Sequence, residues 1–296
     1  MAFSYDNCTL CERRCGANRT VGEYGICRSG NLPYIARAAL HAWEEPSISG
    51  ERGSGTIFFS GCSLGCVFCQ NSDISRTEVG TPKDASGLAV LMERLAGEGA
   101  HNINFVTPTH HAPTIAEAVR IFRSRGYTLP IVYNTSSYDT PDTLHALSGL
   151  VDIYLSDFKY FRRKSAAELA HAPDYPEAAT AAIEEMVRQR PIPTFSDGLM
   201  TGGVIIRILL LPGHLAEARL SLSHLYSRFG DRVYFSLMSQ YTPMPNMTPP
   251  LDRRVTRAEY RALVSHAERL GIVNAYIQEH ESASAEYIPP FPTKKS

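Results

Sequence analysis

Six short runs rich in Val, Ile, Phe and Tyr, at 56–60, 102–107, 130–135, 152–157, 204–211 and 233–240, constrain this chain more than any other feature. They are mostly apolar without strict alternation, which is the pattern of strands buried on both faces and hence of a parallel sheet. Helix punctuation falls between them. Thr114 and Glu117 are spaced as a capping box with Gly126 as a stop, and Thr256 and Glu259 as another whose helix ends before Gly271. Thr140 before Pro141 reads as a cap with a first-turn proline. Strand and helix therefore alternate about six times, which calls for parallel strands joined by right-handed crossovers. An open doubly wound sheet and a partial (β/α)6 barrel both satisfy this pattern. In either one, functional groups gather at the C-terminal ends of the strands.

With 296 residues, 44% hydrophobic and 20% charged, the chain can bury the core of one large α/β domain with appendages. The expected division is a Cys-rich segment and linker at 1–50, the main domain at 51–280, and a loosely held tail at 281–296. A net charge of −1 gives no electrostatic reason to expect nucleic acid or an anionic membrane as a partner. The first residues lack the pattern of a signal peptide and no apolar run is long enough to span a bilayer, so a cytoplasmic location with reduced thiols is expected.

The seven cysteines divide into three and four, leaving none over for a disulfide or a nucleophile. Cys62, Cys66 and Cys69, spaced C-x3-C-x2-C, follow the first apolar run on a loop softened by Gly61 and Gly65. Three thiolates on one loop can grip three corners of a cubane iron–sulfur cluster and leave the fourth iron open, whereas four would saturate it. Three small buried residues, or a zinc site short of one ligand, is the competing account. Gln70 and Asn71 are placed to orient the loop or to hydrogen-bond cluster sulfurs. Cys8, Cys11, Cys15 and Cys27, spaced C-x2-C-x3-C-x11-C, can complete a tetrahedral zinc site or hold a second, fully ligated iron–sulfur cluster; spacing does not choose between them. Either metal would tie down a segment too short to fold alone.

Strand ends supply the other candidates. Thr107, Thr109, His110 and His111 follow the second run, with the histidines suited to proton transfer or substrate orientation and a simple helix cap as the alternative. A polar cluster at 133–138, Asn134 included, suits ribose hydroxyls or a carboxylate. Asp157 and Lys159 follow the fourth run. Arg207 interrupts the fifth, where a guanidinium needs an anionic or dipolar partner. Gln240 and Tyr241 end the sixth and could close a pocket. His41, Glu44 and Glu45 precede the first run and read as a solvated loop, with the active site or the N-terminal metal as other destinations.

The cysteine loop after the first strand of a βα series resembles that of the radical S-adenosylmethionine (SAM) superfamily. More narrowly, Cys8-Thr-Leu-Cys-Glu-Arg-Arg-Cys-Gly, Glu44-Glu-Pro-Ser-Ile-Ser-Gly, Asn102-Ile-Asn-Phe-Val-Thr-Pro-Thr-His, Asp152-Ile-Tyr-Leu-Ser-Asp-Phe-Lys-Tyr and Leu237-Met-Ser-Gln-Tyr are similar to the PflX-type proteins. These radical SAM proteins are named for likeness to pyruvate formate-lyase activating enzyme. The resemblance implies a 4Fe-4S cluster on Cys62, Cys66 and Cys69, SAM chelated to its open iron, and an oxidoreductase fed by an external electron donor such as flavodoxin or ferredoxin. It places Phe68 near the adenine, Lys159 with Asp157 near the SAM carboxylate, and Arg207 near SAM. Thr107 and its neighbours stand where many relatives carry Gly-Gly-Glu, and Ile208 stands where this group carries a histidine. The implied reaction is hydrogen abstraction from an unidentified small molecule or peptide. The alternatives are a glycyl-radical activase acting on a partner protein, and a metal-binding scaffold without catalysis.

Overall fold

The computed structural model describes residues 3–245, 247–278 and 291. Its strands are β1 (Tyr34–His41), β2 (Ser54–Phe59), β3 (Thr81–Pro82), β4 (Ile103–Val106), β5 (Ile131–Thr135), β6 (Ile153–Asp157), β7 (Thr194–Ser196), β8 (Leu199–Leu209), β9 (Tyr234–Met238) and β10 (Ala275–Ile277). The helices are α1 (Pro46–Ser49), α2 (Ser72–Ser75), α3 (Ala85–Gly97), α4 (Ala112–Ser124), α5 (Pro141–Ala146), α6 (Arg163–Ala170), α7 (Tyr175–Gln189), α8 (Leu215–Phe229) and α9 (Arg257–Leu270).

The sheet runs β10-β9-β8-β6-β5-β4-β2-β1-β3, with β7 pairing to β8. From β2 to β10 every neighbouring pair on this path is parallel. The six expected strands all form, and they lie in sequential order. Without a reversal there is no switch point of the doubly wound kind, and right-handed crossovers keep the helices to one face. This is the open, mostly parallel sheet of a partial barrel.

Strand alternation explains how the two faces differ. Tyr133, Tyr154, Val204, Ile206 and Ile208 point toward the helices and pack with Ile183, Leu222 and Leu263 in the main core. Val132, Ile153, Leu155 and Ile205 point the other way and make a smaller cluster with Ile48 and Met200. Continuing along that second face by steps of two, β5 reaches Asn134, β6 reaches Asp157 and β8 reaches Arg207. The concave face is therefore apolar near the strand starts and polar at the strand ends.

Two local expectations are corrected. The capping box of Thr114 and Glu117 does not form, because α4 starts earlier, at Ala112, entered through a 3-10 turn over Thr109–His111. The Thr114 hydroxyl instead lies 2.7 Å from that of Tyr5. Within the expected linker at 1–50, Tyr34–His41 forms a strand paired antiparallel to β2, so part of that stretch belongs to the sheet. The other caps are present: Thr256 and Glu259 cap α9 reciprocally, Gly271 ends it at φ +80°, and Thr140 caps α5. No described helix is long and apolar enough to cross a membrane. The tail expected at 281–296 lies outside the described residues except for 291.

Candidate active site

The chain leaves β2 through Gly61, whose φ of +85° and close backbone approach both require glycine. A Cβ there would sit 2.7 Å from the Cys27 carbonyl oxygen. The next amide, Cys62 N–H, donates to that same carbonyl at 3.2 Å. Farther along, Val67 N–H donates to Leu169 and the Arg76 guanidinium donates to the Cys66 carbonyl at 3.2 Å. The Tyr160 hydroxyl donates to Cys66 Sγ at 3.1 Å. The loop is thus pinned from α6, from the end of α2, from the segment after β6 and from the N-terminal segment.

Burial pushes the Cys66 thiol up to about 12, and its two neighbouring thiols add to the shift. Burial raises Cys62 as well, with Cys69 beside it. Two thiols that burial holds protonated, Cys62 and Cys66, suit a site completed by cationic iron, because metal binding draws them out as thiolates and compensates their burial. Cys62, Cys66 and Cys69 line one cavity, and among the described residues no three Cys, His, Asp or Glu side chains are drawn in around a single metal ion, the N-terminal cysteines included.

That cavity, of about 250 Å³, lies between the loop and the strand ends. Cys62, Cys66, Phe68, Cys69, Gln70 and Asn71 line one side. Thr107, Asn134, Asp157, Lys159, Arg207, Gln240 and Tyr241 line the other. Thr107, just past β4, is held at φ +58°, a left-handed conformation that costs a β-branched residue and clusters at functional sites. Phe68 packs edge-on against both Tyr160 and Tyr241, giving the loop an aromatic floor.

Every guanidinium nitrogen of Arg207 is engaged. Nε donates to Asp157 Oδ1 at 2.7 Å, Nη1 to Glu44 Oε2 at 3.2 Å and Nη2 to Asn134 Oδ1 at 2.6 Å. Asp157 is in register with Arg207 across β6 and β8, and its other oxygen takes Lys159 Nζ at 2.8 Å. Burial alone would raise the Asp157 carboxyl, but the two cations outweigh it and hold it below the usual range. Burial likewise opposes the charge on Lys159, and Asp157 more than restores it. The Asn104 and Asn134 amides both donate to Glu44 Oε1.

Glu44 and Glu45 are therefore not part of a solvated loop. Glu45 is buried and the Glu44 side chain is nearly covered beside the cavity, because α1 folds the Glu-Glu-Pro turn inward and seats Ile48 in the concave-face cluster. Sequence reasoning found Arg207's need for an anion but missed Glu44 as one of the anions. His110 and His111 turn away from the cavity and are fully buried. His110 Nε2 lies 2.8 Å from the Ser60 carbonyl, and burial lowers this histidine to about 3, so neither proton transfer nor substrate contact falls to it. Ile208 packs on the helix side, opposite in alternation to Arg207, so a histidine in its place would not face the cavity.

The four N-terminal cysteines come together in a second group. Cys8, Cys11 and Cys27 are buried and Cys15 is partly so. The Cys15 and Cys27 sulfurs lie 3.4 and 3.1 Å from the point a Cβ would occupy on Gly25. Arg19, fully buried, directs Nη1 to Cys8 Sγ at 3.7 Å and to the His110 carbonyl at 2.6 Å. Arg13 reaches the carbonyls of Ser63, Leu64 and Ala170. These arginines fasten the segment across the base of the C-x3-C-x2-C loop.

Residues 48–169, which include that loop and none of the N-terminal cysteines, match the model of a 4Fe-4S single cluster domain. The fold is similar to Streptococcus suis SuiB, at TM-score 0.52 and 12% identity over 76% of this chain and 48% of that one. It is also similar to SuiB bound to S-adenosylmethionine, at TM-score 0.51 and 13% identity over 74% of this chain and 48% of that one. The chain carries the 4Fe-4S single cluster match over its cysteine loop, on a fold that it shares with SuiB. Its fold further matches HydG, a maturase of the [FeFe]-hydrogenase, at TM-score 0.51 and 16% identity over 78% of this chain and 53% of that one. The chain spans about half the length of these solved structures. An uncharacterized protein of Methanocaldococcus jannaschii is 29% identical over 279 residues, covering 90% of this chain and 76% of that protein.

Proposed function

We propose that the protein is a radical SAM enzyme that abstracts a hydrogen atom from a small molecule or a peptide. One observation carries the reading: three thiols on one loop open onto a cavity whose far wall holds a part-buried pair of cations, Lys159 and Arg207. Cys62, Cys66 and Cys69 would hold a 4Fe-4S cluster. When bound, the cluster and SAM supply reductive cleavage of SAM to methionine and a 5′-deoxyadenosyl radical. Lys159 and Arg207 provide positive charge for the SAM carboxylate, with Asp157 fixing both cations in place. Thr107 and Asn134 offer polar groups toward a ribose, and Phe68 a ring for the adenine. Tyr160 steadies the Cys66 sulfur through its hydroxyl. The electron would come from an external donor such as flavodoxin or ferredoxin.

A second cavity of about 410 Å³ joins the first through Glu44, Gln70, Arg207 and Gln240, and favours a small molecule or peptide end as substrate. The Asp157-Phe-Lys159 and Arg207 arrangement favours the activase reading, in which a glycine of a partner protein loses the hydrogen. At the N-terminus, burial of the thiols and the Cys62 to Cys27 hydrogen bond support a second iron–sulfur cluster that relays the electron; zinc is the alternative.

Anaerobic reconstitution followed by dithionite and SAM tests the central claim. The wild type should release 5′-deoxyadenosine, and Cys66→Ala should fall to background. A fully loaded wild type that releases none, with the variant no different, leaves only the scaffold reading. A glycyl radical on a co-encoded partner, seen by electron paramagnetic resonance, would decide for the activase.

A further inference from the structure

Glu45 lines the larger cavity, and one of its carboxylate oxygens is buried with no hydrogen-bond partner among the described residues. Glu45 is 8% exposed, and its backbone is fixed where its carbonyl accepts from Ile48 and Ser49 at the start of α1. Ser236 lines the same cavity beside Glu45, and Oε2 of Glu45 is buried with no partner among the described residues. Arg207, whose charge acts on Glu45, has Nε, Nη1 and Nη2 committed to Asp157, Glu44 and Asn134. An orphaned acceptor of this kind is costly unless something brings a donor to it.

Charge leads to the same place. Three carboxyl groups, Glu44, Glu45 and Asp157, face two cations, Lys159 and Arg207. Asp157 holds both cations directly and Glu44 holds Arg207 and two amides, whereas Glu45 feels the charge of Arg207 without a direct hydrogen bond to it. The cavity around it is lined by Trp43 and Tyr276 as well as by Gln240 and Gln278. Aromatic faces accept a cation and its methylene stem, and amides accept further N–H groups.

We propose that this cavity is a substrate subsite for a cationic nitrogen, an ammonium or guanidinium group, received by Glu45. The proposal rests on the radical SAM reading for its link to chemistry, since the subsite opens on the SAM cavity through Glu44 and Arg207. It makes the substrate an amine or guanidine, free or on a peptide side chain, whose hydrogen to be abstracted lies toward the cysteine loop.

The test uses matched four-carbon probes on the reconstituted protein with SAM present: butylammonium, butylguanidinium, butanol and butyrate, with binding followed by ligand-observed nuclear magnetic resonance. Butylammonium or butylguanidinium should bind at least about 10-fold more tightly than butanol and butyrate, which is the discrimination of one buried charge-assisted hydrogen bond. Glu45→Gln, nearly the same in shape, should erase that preference. Equal binding of butanol, tighter binding of butyrate, or a preference that survives Glu45→Gln overturns the proposal. The wild-type comparison decides even if the variant fails to fold. Assaying 5′-deoxyadenosine on the same wild-type preparation separates the two claims. Cleavage without cation preference removes the subsite alone, and cation preference without cleavage removes the radical reading while the subsite stands.

Discussion

The two cysteine groups lie one hydrogen bond apart, Cys62 N–H to the Cys27 carbonyl, yet their surroundings differ in kind. The three loop thiols face a cavity ringed by paired charges and polar strand ends. The four N-terminal thiols face packed protein: Gly25 leaves room only for sulfur, Arg19 closes one side, and neutral histidines lie behind. A cluster that must expose an iron needs the first setting, and a saturated metal needs the second. On the function proposed above, the company the sulfurs keep would separate a reactive centre from a structural or relay one.

The largest effect should come from removing the three loop thiols together. Cys62/Cys66/Cys69→Ala should abolish SAM cleavage while the N-terminal metal stays, since the two groups share a backbone contact but no ligand. Metal analysis of that variant names the second centre: about four irons per chain mean a relay cluster, and one zinc a structural knot. Loss of all metal would mean that the two groups are not separable and would break the comparison.

Arg207→Leu tests the charged wall of the cavity. Glu44 and Asp157 would be left buried without their shared cation, and breaking a buried pair from one side costs about 3–5 kcal/mol. Anaerobic denaturant unfolding should show that loss. A change under 1 kcal/mol would mean that water or a proton on Glu44 already compensates the carboxylates.

How much of this could be read from the chain itself follows from what each residue announces. The six parallel strands were legible because apolar runs buried on both faces look alike wherever they occur. β1 was not, because as an antiparallel neighbour of β2 with mostly half-buried residues it lacks such a run. Arg207 announced its need for an anion by standing inside an apolar strand, but its partner Asp157, 50 residues away, was read only with Lys159. Glu44 is 163 residues away from Arg207, in a polar stretch that looks solvated until α1 turns it inward. The signal that was available was Pro46 followed by Ile48, a turn that starts a helix and buries its first apolar residue. His110 and His111 misled in the opposite sense. Histidine's usual titration near neutrality belongs to the exposed ring, and burial is a property of the fold.

Gly25→Ala probes the packing of the closed site. Glycine there has ordinary backbone geometry, so the change acts through its Cβ, placed 3.1 Å from the Cys27 sulfur and 3.4 Å from that of Cys15. Metal affinity at the N-terminal group should fall on the order of 10-fold, the usual cost of disturbing a ligand's support. The loop cluster's spectrum and SAM cleavage without added substrate should not change. An equal loss at both centres would show that the segment's fold, and not its sulfur pocket, was disturbed.

The smallest effect belongs to the seam between the two groups. His110 titrates near 3 in the folded protein, pushed down by burial, and near 6.5 in the unfolded chain. Across that window the unfolded chain binds more protons, so acid favours unfolding: the penalty is absent well above pH 6.5 and grows as pH falls toward 3. Between pH 6.5 and 5.5 this one histidine should remove about 1 kcal/mol of stability. His110→Gln keeps a donor for the Ser60 carbonyl without the titration, so its unfolding free energy should change less than the wild type's over the same pH interval. Equal slopes would mean that His110 is already solvated in the folded protein, and the seam would then be as open as the cavity it is contrasted with.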